Sequence, residues 1–204
     1  MDRIKKTVAS VSAAAAIAAG GLAMAAPAQA AGNGGEGTVY DVARDASKGK
    51  WAFDRNGGDF DILLAAVKVT GLKGALDDPN ADLTVFAPTD DVFKATFGGR
   101  SEVGTLFRAL KAVNYDRNAL KDVLLYHVTD LNTDGEKGLS FAEVAAVVPN
   151  TGDTVDVPML NGASTVVERT GAGSAKIDES SIVATDLFGS NGVIHVIGDS
   201  VLLP

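Results

Sequence analysis

The sequence predicts an α+β fold in which a cluster of helices in the N-terminal half precedes a series of short strands. Two observations carry this reading. Up to residue 126 the apolar residues recur mainly at the spacing of one-sided helices, as in FDILLAAVKVTGL and RNALKDVLLY. After residue 150 the chain alternates or turns β-branched in short pieces separated by Asn-Gly, Gly-Ala-Gly and Ser-Asn-Gly turns. Helices followed by strands, without a βαβ rhythm, argue against a doubly wound parallel sheet.

The elements follow in order. Residues 1–30 read as a signal peptide: Arg3, Lys5 and Lys6, then the apolar run VASVSAAAAIAAGGLAMAA, then the small-x-small close Ala28-Gln29-Ala30. An uncleaved membrane anchor is the competing reading, but alanine and glycine are only weakly lipophilic. Removing this segment leaves 174 residues, enough for one domain with its own core. Residues 31–37 (AGNGGEG) read as a flexible leader and 38–204 as the domain.

TVYDVA is a first apolar element, followed by the polar stretch RDASKGKWAFDRNGGD, whose Trp51 and Phe53 are expected to pack as a satellite of the core. A helix over FDILLAAVKVTGL places Ile62, Leu63, Ala66 and Val67 on one face and ends at Gly71. DLTVFAP is a short buried strand bounded by Asp82 and Pro88. Thr89 or Asp90 caps the helix DVFKATF, Ser101 caps EVGTLFRALKAV, and Asp116 caps RNALKDVLLY. On the last of these Leu120, Val123, Leu124 and His127 share a face. TVDVPML, STVVERT, SAKIDES, SIVATDL and GVIHVIGDSVLL are the strands of the second half.

Charge and composition exclude several functions. The whole chain carries −8; the signal segment holds three basic residues and one acidic, so the remainder carries −10. No stripe of lysine and arginine could neutralise a phosphate backbone, which argues against nucleic acid and against anionic membranes. With no second long apolar segment, no membrane insertion is expected after cleavage, and the protein reads as secreted, extracellular or periplasmic. No cysteine is available for disulfides or thiolate metal sites.

Three constellations invite a chemical reading. Asp130, Asn132, Asp134 and Gly135 occupy positions 1, 3, 5 and 6 of a calcium loop, but position 12, where a bidentate glutamate belongs, is Phe141. Glu143 fits better as the partner of Ser140 in a capping box, so the Asp130–Glu136 loop is at most a weak calcium ligand. Gly198-Asp199-Ser200-Val201 resembles an esterase block, yet His195 lies five residues away in the same extended run, about 17 Å along a strand and beyond reach of Ser200. His127, among apolar neighbours and one of only two histidines, reads as a buried, hydrogen-bonded ring. No catalytic group, metal site or cofactor is expected from these residues, and the chain is not read as an enzyme.

Three blocks together resemble the fasciclin domain family: TVFAPTDDVF (84–93), LKDVLLYHV (120–128) and NGVIHVIGDSVLLP (191–204), in that order over most of residues 38–204. The resemblance implies a wedge or sandwich of short β-strands with an array of helices. It also implies extracellular adhesion or matrix interaction without catalysis, with a cell-surface or matrix protein or polysaccharide as partner. The family's tyrosine–histidine block, linked to receptor binding in animal members, corresponds to Tyr126 and His127 with Asp122 just upstream; these three are the expected binding residues. Some algal members bind carotenoids, so an apolar small-molecule carrier is the alternative, with Leu124, Val128, Ile194 and Val196 as groove candidates. The signal-peptide reading makes its own prediction. Intact-mass analysis of the protein recovered outside the cytoplasm should give a chain beginning at Ala31, whereas recovery from the membrane fraction with residue 1 still present would establish the anchor instead.

Overall fold

Two strands from opposite halves of the chain lie side by side at the centre of the molecule and divide its interior in two. The computed structural model describes residues 36–47, 53–131 and 137–204, all inside the unit Asn33–Pro204. The signal peptide, the leader up to residue 35, Trp51 and most of the Asp130–Glu136 loop lie outside the described residues. The first half supplies α1 (Val39–Ala46), α2 (Asp61–Thr70), the short α3 (Lys73–Leu76), β1 (Leu83–Pro88), α4 (Asp90–Phe97), α5 (Glu102–Ala112) and α6 (Arg117–Leu125). The second supplies β2 (Val128–Thr129), α7 (Phe141–Val147), β3 (Thr154–Pro158), β4 (Ser164–Gly171), β5 (Ser174–Ile177), β6 (Ser180–Gly189) and β7 (Gly192–Ile197).

Local chemistry sets most helix ends. Thr38 and Asp41 form a capping box on α1, Ser101 accepts the Gly104 amide, Asp116 accepts the Asn118 amide, and Ser140 with Glu143 forms the expected box on α7. α2 stops at Gly71, whose φ of 75° is the left-handed conformation that glycine adopts without strain. One expected cap is different. The Thr89 side chain makes no capping bond to α4, and Asp90 reaches away from its own helix to accept the Ile62 amide at the start of α2 (2.9 Å). The N-cap of α2 is Phe60, which has no side-chain acceptor, so the cap arrives from a distant segment. The first amides of α4 are taken instead by backbone carbonyls: Asp90 N donates to Asp59 O (2.9 Å) and Asp91 N to Gly57 O (2.8 Å).

The seven strands form one mixed sheet in the order β2-β1-β7-β6-β5-β4-β3. β1 runs parallel to β7, from Leu83 opposite Gly192 to Pro88 opposite Ile197, and the other neighbouring pairs are antiparallel. All residues of β1 and β7 are buried, as expected of a parallel pair covered on both faces. Period-two alternation then splits the core. Leu83, Val85 and Ala87 of β1 and Ile194 and Val196 of β7 face the helices α1, α2 and α6, while Phe86 and Ile197 face the side of α7, β3, β4 and β5. β7 ends at Ile197, before the apolar run GVIHVIGDSVLL does. The Asp199 carboxylate accepts the Ser181 amide (2.7 Å) at a turn, after which Val201 and Leu202 return to the interior.

The β1–β7 contact is close enough to exclude a side chain. At Gly192 a Cβ would collide with the Leu83 carbonyl oxygen and approach the rest of the Leu83 backbone. Asn191 beside it is fully buried and completely used: its amide donates to Leu76 O (3.0 Å) and Asp78 O (2.8 Å), and its carbonyl accepts the Val39 amide (2.7 Å). One residue thereby joins α1, the end of α3 and the β6–β7 turn. Gly192→Ala is therefore predicted to destabilise the fold by more than about 3 kcal/mol in denaturant unfolding; a loss below about 1 kcal/mol would mean that the strands can separate cheaply.

Candidate functional site

The C-terminal end of α6 carries the three residues singled out in the sequence. Leu120 and Leu124 bury the inner face of the helix, which fixes how its last turn meets the sheet. Asp122 points outward and is exposed, whereas Tyr126 and His127 are buried at 7% and 2% exposure. The structure thus brings two of the three beneath the surface and leaves the third on it; they do not converge on an open pocket.

His127 is held on both sides by backbone. Its Nδ1 lies 2.8 Å from the Val123 carbonyl, and Nε2 accepts the Leu202 amide at 2.9 Å. An acceptor role for Nε2 places the ring proton on Nδ1, which donates to Val123. The main-chain carbonyl of His127 accepts the Phe86 amide (2.8 Å), so this residue links α6, β1 and the C-terminal segment. Burial lowers its pKa to about 4, more than the Val123 bond and the Asp178 charge raise it. The ring is neutral at ordinary pH and has no nitrogen left for a proton-transfer or metal-binding role. His195, buried in β7, is used in the same way: Nε2 donates to Leu139 O (2.8 Å), Nδ1 accepts the Asp186 amide (3.4 Å), and burial lowers its pKa. Ser200 is separated from it by the end of β7, and its amide binds the Ser180 hydroxyl (3.2 Å).

The Tyr126 hydroxyl reaches across to β4 and the β5–β6 turn, 3.3 Å from both the Ser164 carbonyl and the Asp178 carboxylate. Burial raises its pKa, with the Asp178 charge acting in the same direction. Asp178 (φ 48°) also accepts the Val166 amide at 3.3 Å. Tyr126 and His127 are therefore braces that carry the end of α6, with Asp122 on its outer face.

Leu124, Val128, Ile194 and Val196 belong to the closed helix-side core. The apolar cavity beside Leu124, Val128 and His127 measures ≈ 50 Å³, far below the roughly 300 Å³ at which small-molecule pockets begin. A larger cleft of ≈ 240 Å³ is bordered by Arg44, Phe53, Asp61, Lys68, Val69 and Leu106. Phe53, expected in the core, is 38% exposed on its wall, because the polar residues after it hold the loop at the surface. Sequence reasoning missed one further constellation, the buried carboxylates Asp61, Asp90 and Glu102, with the buried Asp59 close to Asp61. Three of them open helices, where an acidic residue complements the helix dipole, and nothing in their spacing indicates that they meet.

Residues 58–204 match the family model of the Fasciclin domain. The chain is 33% identical over 145 residues to Protein sll1483 of Synechocystis sp., covering 71% of this chain and 67% of that protein. It is 32% identical over 145 residues to periostin of Homo sapiens, where the match spans 71% of this chain and 15% of periostin. A solved FAS1 domain pair from the insect cell adhesion molecule Fasciclin I aligns with a TM-score of 0.46 and 20% identity, over 69% of this chain and 45% of that one.

The neutral, buried His127 has a consequence for stability. It titrates near pH 4 when folded and near 6.5 when exposed, so between those values the unfolded chain binds the extra proton. Its contribution is complete above pH 6.5 and is lost as pH falls toward 4. The stability gap between the parent and His127→Gln is predicted to be widest at neutral pH and to narrow by up to about 3 kcal/mol by pH 4. Denaturant unfolding of both proteins across this range measures it, and a gap independent of pH would show that the ring is not held neutral.

Proposed function

Because the chain belongs to the fasciclin domain family, we propose that it acts outside the cytoplasm as a non-catalytic binding module for cell-surface or matrix components, protein or polysaccharide. One observation carries the non-catalytic reading: both histidines spend both ring nitrogens on the fold's own backbone. The residues best suited to proton transfer near neutral pH are thus engaged in architecture. What the tyrosine–histidine block presents to a partner is the outer face of α6, led by the exposed Asp122, while Tyr126 and His127 set its position from below. Contact of this kind works by shape and charge complementarity. A single domain binds modestly, and firm attachment comes from displaying many copies together. The small-molecule alternative has less support, since of its groove residues Leu124 and Val128 line a cavity of only ≈ 50 Å³ and Ile194 and Val196 are packed in the core.

Charge reversal separates surface from scaffold. Asp122→Lys is expected to keep its melting temperature, since exposed substitutions change stability by about 0.5 kcal/mol or less. It should weaken binding of the purified chain to isolated envelope and matrix fractions at least about fivefold, a loss of roughly 1 kcal/mol. Full binding by this variant, combined with loss of binding in Phe107→Ser on the exposed face of α5, would move the contact surface away from α6.

A further inference from the structure

Three helices of the N-terminal half start with an acidic residue, and the three carboxylates meet in the interior. Asp61 is the first residue of α2, Asp90 of α4 and Glu102 of α5, with exposures of 5%, 0% and 2%. An oxygen from each can be chosen so that all lie within 4.8 Å of one another. Asp54, Asp59 and Asp61 form a second group at the same separation, in which Asp59 is buried and Asp54 exposed. Oxygens bound to one calcium ion stand about 2.3–2.6 Å from it, so donors up to roughly 5 Å apart fit a single coordination sphere.

Hydrogen bonding accounts for only part of this cluster. One oxygen of Asp90 caps α2 through the Ile62 amide, but Oδ2 has no partner among the described residues, and neither has either oxygen of Asp59. The Asn56 side chain and the Asp61 amide face Asp59 without reaching hydrogen-bond geometry. A buried carboxylate oxygen with no donor is costly, because nothing replaces the water it has lost. Charge compensation is also short. Lys94 lies 3.5 Å from Glu102 but is shared with Asp91 at 3.3 Å. The helix N-termini add partial positive charge, about half a unit each, against as many as four carboxylates. Burial, reinforced by neighbouring carboxylates, pushes Asp90 up to about 8 and Asp61 up to about 6, as expected of acids crowded together away from water.

We infer that Asp61, Asp90 and Glu102, with Asp59 beside Asp61, form a binding site for a hard divalent cation, calcium by preference, where the N-termini of α2, α4 and α5 meet. The donors are all oxygen, which suits calcium, magnesium or manganese and not the softer metals. Calcium surrenders its water readily and accepts several carboxylates, mono- or bidentate, whereas magnesium keeps most of its hydration shell. Asp54 stands at the exposed rim, and Asp61 borders the ≈ 240 Å³ cleft, which provides a route from solvent. An ion there would tie the 54–59 segment to three helices at once. The site shares no residue with the α6 face that carries Asp122 and requires no partner.

The test uses the purified chain, stripped of metal with chelator and titrated with calcium chloride at neutral pH by calorimetry and thermal melting. One calcium per chain is expected, with a dissociation constant on the order of 10⁻⁴–10⁻³ M or tighter, and a melting temperature that rises by several degrees at saturation. Magnesium at the same concentration should raise it less. Asp90→Asn keeps an oxygen for the Ile62 amide, and Asp59→Asn keeps one for the Asn56 side chain and the Asp61 amide that face it. Both should melt in metal-free buffer at least as high as the parent, yet bind calcium at least about tenfold more weakly. Asp130→Asn, in the calcium-like loop, should bind as the parent does. The inference is overturned if calcium gives neither heat nor stabilisation, if Asp59→Asn and Asp90→Asn leave binding intact, or if Asp130→Asn alone abolishes it. An equal response to magnesium overturns the preference for calcium.

Discussion

The parallel pairing of β1 with β7 is the contact on which the remaining architecture depends. It joins segments from opposite halves of the chain, and both faces of the pair are buried, one under the helices and one under the β3–β6 meander with α7. Parallel pairing cannot be made by a tight turn, so every element between the two strands must be accommodated in the crossover. The closeness of Leu83 and Gly192 is what allows the pair to form at its first rung, and Asn191 one residue earlier secures the turn to α1 and α3.

Around this pair the structure spends its polar side chains on backbone. His127 ties α6 to the C-terminal segment, His195 ties β7 to Leu139 and to the irregular stretch of β6, and Tyr126 spans to Ser164 and Asp178. Each satisfies a main-chain group that leaves regular secondary structure where the chain turns a corner. Irregular connections in a buried setting demand such partners, since an orphaned amide or carbonyl costs about as much as a lost hydrogen bond. The same economy explains why a residue type associated with catalysis is here a structural clamp.

The carboxylate cluster follows a different logic. Asp90 satisfies an amide of α2 with one oxygen, and its other oxygen, beside Asp61 and Glu102, has no partner among the described residues. Helix N-termini favour acidic residues, and packing three such ends together concentrates negative charge where water is scarce.

Sequence periodicity and capping chemistry determined most of the helices and strands, though not the helical form of α1 or the short α3: Gly71, Ser101, Asp116 and the Ser140–Glu143 box act through neighbours within a few residues, and local physics is enough to read them. The blocks around residues 84–93, 120–128 and 191–204 were sufficient to indicate the family. Tertiary structure alone decided that Asp90 caps a helix other than its own, that Phe53 lies at the surface, and that His127 meets Leu202. It also decided that Asp61, Asp90 and Glu102, from three different helices, meet in the interior. Those are contacts between segments whose separation along the chain carries no periodic signal, so their partners become known only once the sheet has brought the segments together.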